Sequence, residues 1–148
     1  MGLFRPEWMN PNESVADSAV RKLTKEAELI RAALQSPHKR VRQYAIDRIS
    51  DQEVLARIAA EDKDEYVRMC AAISLKDQDL LARLALQSRD SDVRRIAAKK
   101  LTDQAVLKEI ALKDQDNKVR IAAIARLTDE EELIRIVKND PLRKYAAK

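Results

Sequence analysis

The stretch KDEYVRMCAAISLKDQDLLARLALQS, residues 63–88, contains the pattern that decides the fold. Its valine, alanine and leucine positions recur every 26 residues along the chain, without an insertion or a deletion. A constant period of this length indicates a protein built from repeated supersecondary units. The apolar columns are Val15, Val41, Val67, Val93 and Val119; Ala19, Ala45, Ala71, Ala97 and Ala123; Leu23, Ile49, Leu75, Leu101 and Leu127; and Leu29, Leu55, Leu81, Leu107 and Leu133.

Each 26-residue row contains two apolar runs with helical spacing. In the quoted stretch, Val67, Ala71 and Leu75 form the first run, and Leu81 and Leu84 belong to the second. Residues three and four positions apart lie on the same face of an α-helix. Every row therefore predicts a pair of short helices, each with one buried face.

Polar residues at the start of the first run predict helix N-caps. A second candidate for each cap lies two residues later, and Pro11, Pro37 and Pro141 would occupy the first helical position if the earlier cap is used. The earlier caps are Asn10, Ser36, Asp62, Ser88, Asp114 and Asp140, and the later ones are Asn12, His38, Asp64, Asp90 and Asp116.

The second helix of each row is predicted to begin at a column that is mostly Ser or Thr. Ser50 with Glu53, and Thr128 with Glu131, have the spacing of capping boxes, in which cap and third residue satisfy each other's backbone N–H groups. The members of this column are Thr24, Ser50, Lys76, Thr102 and Thr128.

The composition excludes several classes of protein. Gly2 is the one glycine among 148 residues, so Gly-rich phosphate loops, dinucleotide fingerprints and nucleophile elbows are absent. Cys70 and His38 are likewise single, which argues against disulfides and against zinc or iron–sulfur sites. We expect an all-α chain with no metal or other cofactor. No apolar run reaches the length of a membrane span and no signal peptide is visible, so we expect a cytoplasmic protein without a membrane partner.

The period divides the chain into five complete rows between two short end segments. We predict a single domain with an N-terminal leader or cap at residues 1–10, a C-terminal half repeat at 141–148, and Phe4 and Trp8 covering the exposed end of the first hairpin. Because no row can bury its apolar face alone, the hairpins must stack into an α-solenoid. The rows are residues 11–36, 37–62, 63–88, 89–114 and 115–140.

The segments VRMCA at 67–71, VRRIA at 93–97 and VRIAA at 119–123 each follow an acidic turn. With these turns the chain resembles the HEAT-like repeats, in particular the short bacterial repeats related to the phycobilisome-lyase motif. The resemblance covers nearly the whole chain, although the unit is shorter than usual and lacks the glycine often found between the two helices. Together with the period, it predicts a right-handed α-solenoid of five 26-residue hairpins, with the second helices lining the concave surface.

Two arginine columns are candidates for function. We call Arg42, Arg68, Arg94 and Arg120, which directly follow the valine column, the inner arginine column. In HEAT-like repeats an arginine at this place typically bonds to acidic groups of the turns, so a structural role is favoured over ligand contact. The available turn carboxylates are Asp62, Asp64, Asp90, Asp114 and Asp116.

The outer arginine column lies two residues after the buried leucine column and should face away from the core. It consists of Arg31, Arg57, Arg83 and Arg135, and Glu109 interrupts it. Val54, Leu80 and Val106 stand close to these arginines, and apolar groups flanked by arginine are typical of protein-binding patches. The alternative is that these apolar residues are partly buried by the neighbouring repeat and that the arginines form a solvated face. The acidic residues that could pair with these arginines are Glu53, Glu61 and Asp79. The candidate partner-binding residues are Arg31, Val54, Arg57, Leu80, Arg83, Val106 and Arg135.

The sequence therefore predicts a non-catalytic scaffold that binds a protein or peptide, with no small-molecule substrate. The alternative is a protein that grips the nucleic-acid backbone through the same arginines, since the net charge is +4 and the isoelectric point is about 9.2. A third hypothesis is self-association through Leu142 and Tyr145 or through the first-helix positions Met69, Ile73, Ile121 and Ala125. Catalysis is the least supported, because no residues with catalytic spacing are brought together.

Overall fold

The computed structural model describes residues 4–140, and over this range every regular element is helical. The prediction of an all-α chain is thus confirmed for this part of the protein. Residues 141–148, which contain the predicted half repeat with Pro141, Leu142 and Tyr145, lie outside the described residues. A 3₁₀ turn at Glu7–Met9 precedes the α-helices α1 (Glu13–Arg21), α2 (Glu26–Gln35), α3 (Lys39–Ile46), α4 (Gln52–Glu61), α5 (Glu65–Ser74), α6 (Gln78–Gln87), α7 (Ser91–Lys100), α8 (Gln104–Lys113), α9 (Asn117–Ile124) and α10 (Glu130–Asn139).

The helices form two compact units, one ending at Leu75 and the other beginning at Lys76. In the first unit α2 packs on α3, α4 packs on α5, and α3 lies between α1 and α5. In the second unit α6 packs on α7, α8 packs on α9, and α7 packs directly on α9. Neighbouring helices therefore pack in a recurring way inside each unit, as in a helical repeat protein.

The apolar columns of the sequence form the core of both units. Val41 and Val67 in the first unit, and Val93 and Val119 in the second, are completely buried. The alanine column is also buried, and its small side chains let adjacent helices approach closely. Val15, the member of the valine column in α1, is 42% exposed.

The odd-numbered helices begin at the later of the two predicted caps. Asp64 accepts backbone N–H groups from Tyr66 and Val67, and Asn12, Asp90 and Asp116 act in the same way. The earlier candidates stabilise the cap itself: Asp62 Oδ1 accepts the N–H of Asp64 at 2.9 Å. The placement of prolines at the first helical position is wrong, because Pro11 and Pro37 precede the caps Asn12 and His38.

The even-numbered helices begin one residue later than predicted. Their side-chain caps are Asp51, Asp77, Asp103 and Asp129, and each accepts a backbone N–H three residues on. The two predicted capping boxes are therefore wrong, and α2 begins after Lys25, which makes no side-chain cap bond. An aspartate at the start of a helix also interacts favourably with the helix dipole.

The displaced Ser and Thr residues join one row to the next instead. Ser50 donates its backbone N–H and its hydroxyl to Glu26 Oε1, both at 2.7 Å. Thr102 makes the corresponding bonds to Gln78 Oε1, and Thr128 makes them to Gln104 Oε1. This polar link between the starts of successive even-numbered helices recurs at a constant separation of 24 residues.

The leader is only partly the cap that was predicted. Trp8 is 3% exposed, and the 3₁₀ turn that contains it packs on α1 and α2, while the Ser36 hydroxyl donates to the Trp8 carbonyl oxygen at 3.1 Å. Phe4 is 92% exposed, so its predicted role as a cover is wrong. The reason is positional: the 3₁₀ turn that packs against the hairpin begins at Glu7, three residues after Phe4.

Candidate functional site

The inner arginine column points into the turns between helices. Arg42 donates from Nε and Nη2 to the two carboxylate oxygens of Asp62, at 2.9 and 3.1 Å, and from Nη1 to the Ser36 carbonyl at 3.0 Å. Both side chains are buried. The guanidinium therefore fixes the turn before its own helix and the turn that follows the next one, with a fork geometry that suits a carboxylate.

The same arrangement recurs in the second unit. Arg94 holds Asp114 through Nε and Nη2 and bonds to the Ser88 carbonyl, and the bond to Asp114 raises the pKa of the Arg94 guanidinium above its ordinary value. Arg120 donates to Asp140 at 3.2 Å, to the Asp114 carbonyl at 2.9 Å and to Asn117. These three contacts, like those of Arg42, join turns within the protein, which leaves little of the guanidinium for a ligand.

Arg68 shares part of this pattern. Its Nη1 donates to the Asp62 carbonyl oxygen at 2.8 Å, as Arg42 does to the carbonyl of Ser36. Twenty residues after Arg68 the sequence has Ser88, whereas Asp62, Asp114 and Asp140 occupy the corresponding places after the other three arginines.

The outer arginine column is exposed. Arg31 and Arg57 in the first unit have side chains on the solvent side of α2 and α4, and Arg83 and Arg135 are exposed in the second unit. Arg57 Nε lies 3.4 Å from Glu61 Oε2 on the same helix, and both side chains are about two-thirds exposed. A pair with this exposure is weak, so it leaves the arginine available to an external partner.

Arg135 has a stronger intramolecular partner. Its Nη2 donates to Glu132 at 2.7 Å, and Lys108 Nζ lies 2.8 Å from the same carboxylate. The hydrogen bond from Lys108, followed by that from Arg135, holds the pKa of Glu132 below its ordinary value. The end of the outer column is therefore largely neutralised inside the molecule.

The predicted apolar members of the site divide into two kinds. Val54 and Val106 are half-buried and can contribute part of their side chains to a contact surface. Leu80 is 7% exposed, so its assignment to the contact surface is wrong. Leu80 and Leu81 are the first buried residues of α6, so the side chain of Leu80 belongs to the core.

The exposed leucines that the sequence reasoning missed lie near the ends of the even-numbered helices. Leu34, Leu86 and Leu112 occupy one 26-residue column and are 38%, 42% and 51% exposed. The sequence does indicate that this column is exposed, because its other two members are Ala60 and Lys138. Lysine is almost never fully buried, so this lysine indicated a solvent-facing position.

Two grooves in the first unit bring members of the outer arginine column beside apolar groups. One has a volume of about 130 Å³ and is lined by apolar and charged residues, namely Leu34, Arg57, Ile58, Glu61 and Asp62. The other has a volume of about 490 Å³ and is lined by the leader and the first helices, including Phe4, Trp8, Leu23, Glu28 and Arg31. Arg31 and Arg57 thus each line a groove that also contains apolar side chains.

The odd-numbered helices expose apolar residues too. Ile73 and Ile121 project into solvent, as does Ala125, while Met69 is half-buried.

Cys70, beside Ile73 in the first unit, is half-buried, and burial together with the nearby charge of Asp47 raises the pKa of its thiol. A thiol with a raised pKa is a poor nucleophile at neutral pH.

No group of three or more His, Cys, Asp and Glu side chains within residues 4–140 is arranged to hold a metal ion. None of the helices in the same range is both long and apolar enough to span a bilayer.

Comparison with protein-family models, with curated proteins and with solved structures finds no match to this chain.

Proposed function

We propose that the chain is a HEAT-like repeat protein whose five 26-residue hairpins form a right-handed α-solenoid. In this proposal it binds another protein or a peptide through the surface of the even-numbered helices and catalyses no reaction. The apolar columns support the repeat assignment, because they continue across the boundary between the two units without a gap. The recurring contacts of α3 and of α7 with neighbouring odd-numbered helices also support it.

One observation carries the binding proposal: Arg31 and Arg57 each line a groove of the first unit that also contains an exposed apolar side chain, Phe4 in one and Leu34 in the other. Arginine beside exposed leucine or aromatic groups is the composition that distinguishes protein interfaces from the rest of a protein surface. Exposed Leu34 supplies the apolar part of one groove, and Phe4 and Leu23 supply that of the other. The arginines favour a peptide that combines carboxylates with apolar side chains.

Hydrogen bonds join the starts of α2 and α4, two of the helices that line the grooves. Glu26, at the start of α2, accepts three hydrogen bonds from Ser50 and Asp51, at the start of α4. A peptide that binds between α2 and α4 would therefore meet a preorganised surface. Affinity would come from contacts and would not be reduced by the cost of ordering the receptor.

Selection from a random-peptide display library tests this proposal directly, because it samples many candidate peptides at once. Selected peptides should contain acidic and apolar residues, and the Arg31→Glu/Arg57→Glu variant should bind them at least tenfold more weakly in a fluorescence titration. The matched control is Arg40→Glu/Lys63→Glu, which makes the same change in charge at two exposed positions of the first unit. Equal weakening in both variants, or no enriched peptide, would contradict the proposal.

The alternative, a nucleic-acid backbone binder that uses the same arginine column, makes a different prediction. Binding of duplex DNA would fall steeply with salt and would be lost in Arg31→Glu/Arg57→Glu, but would tolerate polar substitution of Leu34. The acidic partners on the same helices, Glu61 beside Arg57 and Glu132 beside Arg135, weigh against this alternative.

A further inference from the structure

A second charged surface lies on the odd-numbered helices of the second unit. The sequences of α7 and α9 contain six basic residues and one acidic residue, Asp92. Arg94 and Arg120 are committed to the turn carboxylates described above. The remaining basic side chains, with Arg126 just beyond α9, lie at exposed or half-buried positions. We define the basic surface of the second unit as Arg95, Lys99, Lys118 and Arg126.

Contacts between the helix ends place these cations on neighbouring elements. α7 packs directly on α9, and Arg126 Nε donates to the carbonyl oxygen of Leu101, the residue after α7, at 3.2 Å. The two helices consequently end at the same side, and Arg126 lies close to the end that bears Lys99. Lys118 is the second residue of α9 and lies eight residues before Arg126, which corresponds to about 12 Å along a helix axis.

The cations near the end of α7 are crowded. Burial and the charge of nearby Lys76 both lower the pKa of the Lys100 ammonium group. The only carboxylate on α7 and α9 belongs to Asp92, which pairs with Arg95 at 3.1 Å. An anion that approaches the basic surface would meet little competition from acidic side chains of these two helices.

We propose that the basic surface of the second unit binds the phosphodiester backbone of nucleic acid without reading its sequence. Each strand of a duplex carries a phosphate about every 3.4 Å along the axis, so a surface about 12 Å long faces several phosphates. Packed helices lie about 8–10 Å apart, so α7 and α9 each supply cations to one polyanion. Contacts of lysine and arginine with phosphate oxygens carry no sequence information of their own.

An anionic membrane fits this surface less well. Helices that lie on membranes present a continuous stripe of large apolar residues, often including Trp, Phe and Leu. On α9 the exposed face offers Ile121, which is 54% exposed, followed by the small Ala125. A single exposed isoleucine is ordinary on protein surfaces. Charge without an apolar stripe therefore favours the nucleic-acid backbone.

The test is a fluorescence-anisotropy titration of a labelled duplex DNA of mixed sequence with the full chain, between about 50 and 200 mM salt. Four phosphate contacts predict a slope of log affinity against log salt between about −3 and −4, a loss of about a hundredfold over this range. Lys99→Glu/Lys118→Glu should weaken binding at least tenfold and flatten the slope. Lys113→Glu/Lys138→Glu, with the same charge change on α8 and α10, should keep both the affinity within about threefold and the slope.

Three outcomes would overturn the proposal: no binding at the lowest salt, equal loss in both variants, or loss only in Arg31→Glu/Arg57→Glu. A separate binding experiment uses vesicles of phosphatidylcholine and phosphatidylserine. Binding to these vesicles that depends on Lys99 and Lys118, without binding to DNA, would assign the surface to a membrane and would contradict the proposal. Circular dichroism of each variant verifies that its helices are intact. The peptide titration is separate, so either proposal can fail alone.

Discussion

Arg94 and Asp114, twenty residues apart in the sequence, form a two-point ion pair with distances of 2.9 and 3.2 Å. The side chains are 16% and 7% exposed, so neither charge is fully hydrated when its partner is lost. We expect Asp114→Ala to lower the free energy of unfolding by about 3 kcal/mol, because it leaves a largely buried guanidinium unpaired. Urea denaturation followed by circular dichroism measures this change.

The control for this prediction is the exposed pair of Arg57 and Glu61. Glu61→Ala should change the free energy of unfolding by no more than about 0.5 kcal/mol, since both side chains are well hydrated. If Asp114→Ala and Glu61→Ala have the same effect, the turn pair does not stabilise the second unit in the way proposed.

Glu26 predicts a pH-dependent contribution to stability that Gln78 and Gln104, at the corresponding places, cannot make. Hydrogen bonds from the Ser50 hydroxyl and backbone lower the pKa of Glu26 below its ordinary value of 4.5. A lowered carboxyl pKa in the folded state contributes stability above the unfolded pKa, and this contribution is lost as the pH falls through the folded pKa. The protein should therefore lose part of its stability below about pH 4.5 through this group.

Substitution of Glu26 isolates the contribution from those of the other carboxylates. Gln78 and Gln104 accept the same bonds in the second unit, so Glu26→Gln should keep the acceptor and remove its titration. The difference in urea midpoint between wild type and Glu26→Gln should shrink between pH 6 and pH 3. A difference that stays constant over this interval would show that Glu26 does not keep a lowered pKa.

The helix starts provide a third prediction. Asp103 accepts the Val106 N–H at 3.1 Å, so Asp103→Ala should cost about 1 kcal/mol of stability. Thr102→Val removes only the hydroxyl bond to Gln78, at 3.2 Å, and keeps the backbone bond, so it should cost less than Asp103→Ala. The reverse order, measured by urea denaturation, would restore Thr102 as the cap.

The periodicity of the sequence was sufficient to predict the helical core. Four of the five valines in the first column are completely buried, because a strict period places them at equivalent helical positions. The starts of the even-numbered helices were not predictable in the same way. Ser50 and Asp51 both have side chains that can cap a helix. Asp51 is the cap of α4, because the Ser50 hydroxyl donates its hydrogen bond to Glu26, which is distant in the sequence.

The candidate site was predictable only in its charged part. Arginine two residues after a buried leucine must face away from the core, and Arg31 and Arg57 are indeed exposed. The apolar part depends on how deeply each helix position is covered by its neighbours, and the sequence indicates exposure only for the column of Leu34, Leu86 and Leu112, through Lys138. Leu80, predicted to be part of the contact surface, is therefore buried, whereas Leu86 on the same helix is exposed and was not predicted.

The contrast between Leu80 and Leu86 is itself a test, because both leucines lie on α6 and differ mainly in burial. Leu80→Ala should lower the free energy of unfolding by about 2–4 kcal/mol, as expected when a core leucine leaves a cavity. Leu86→Ala should cost less than about 1 kcal/mol, because much of the removed surface already faces water. Urea denaturation of the two variants gives both values. Similar values for the two leucines would mean that Leu80 is not part of the core, and it would return to the candidate contact surface beside Arg83.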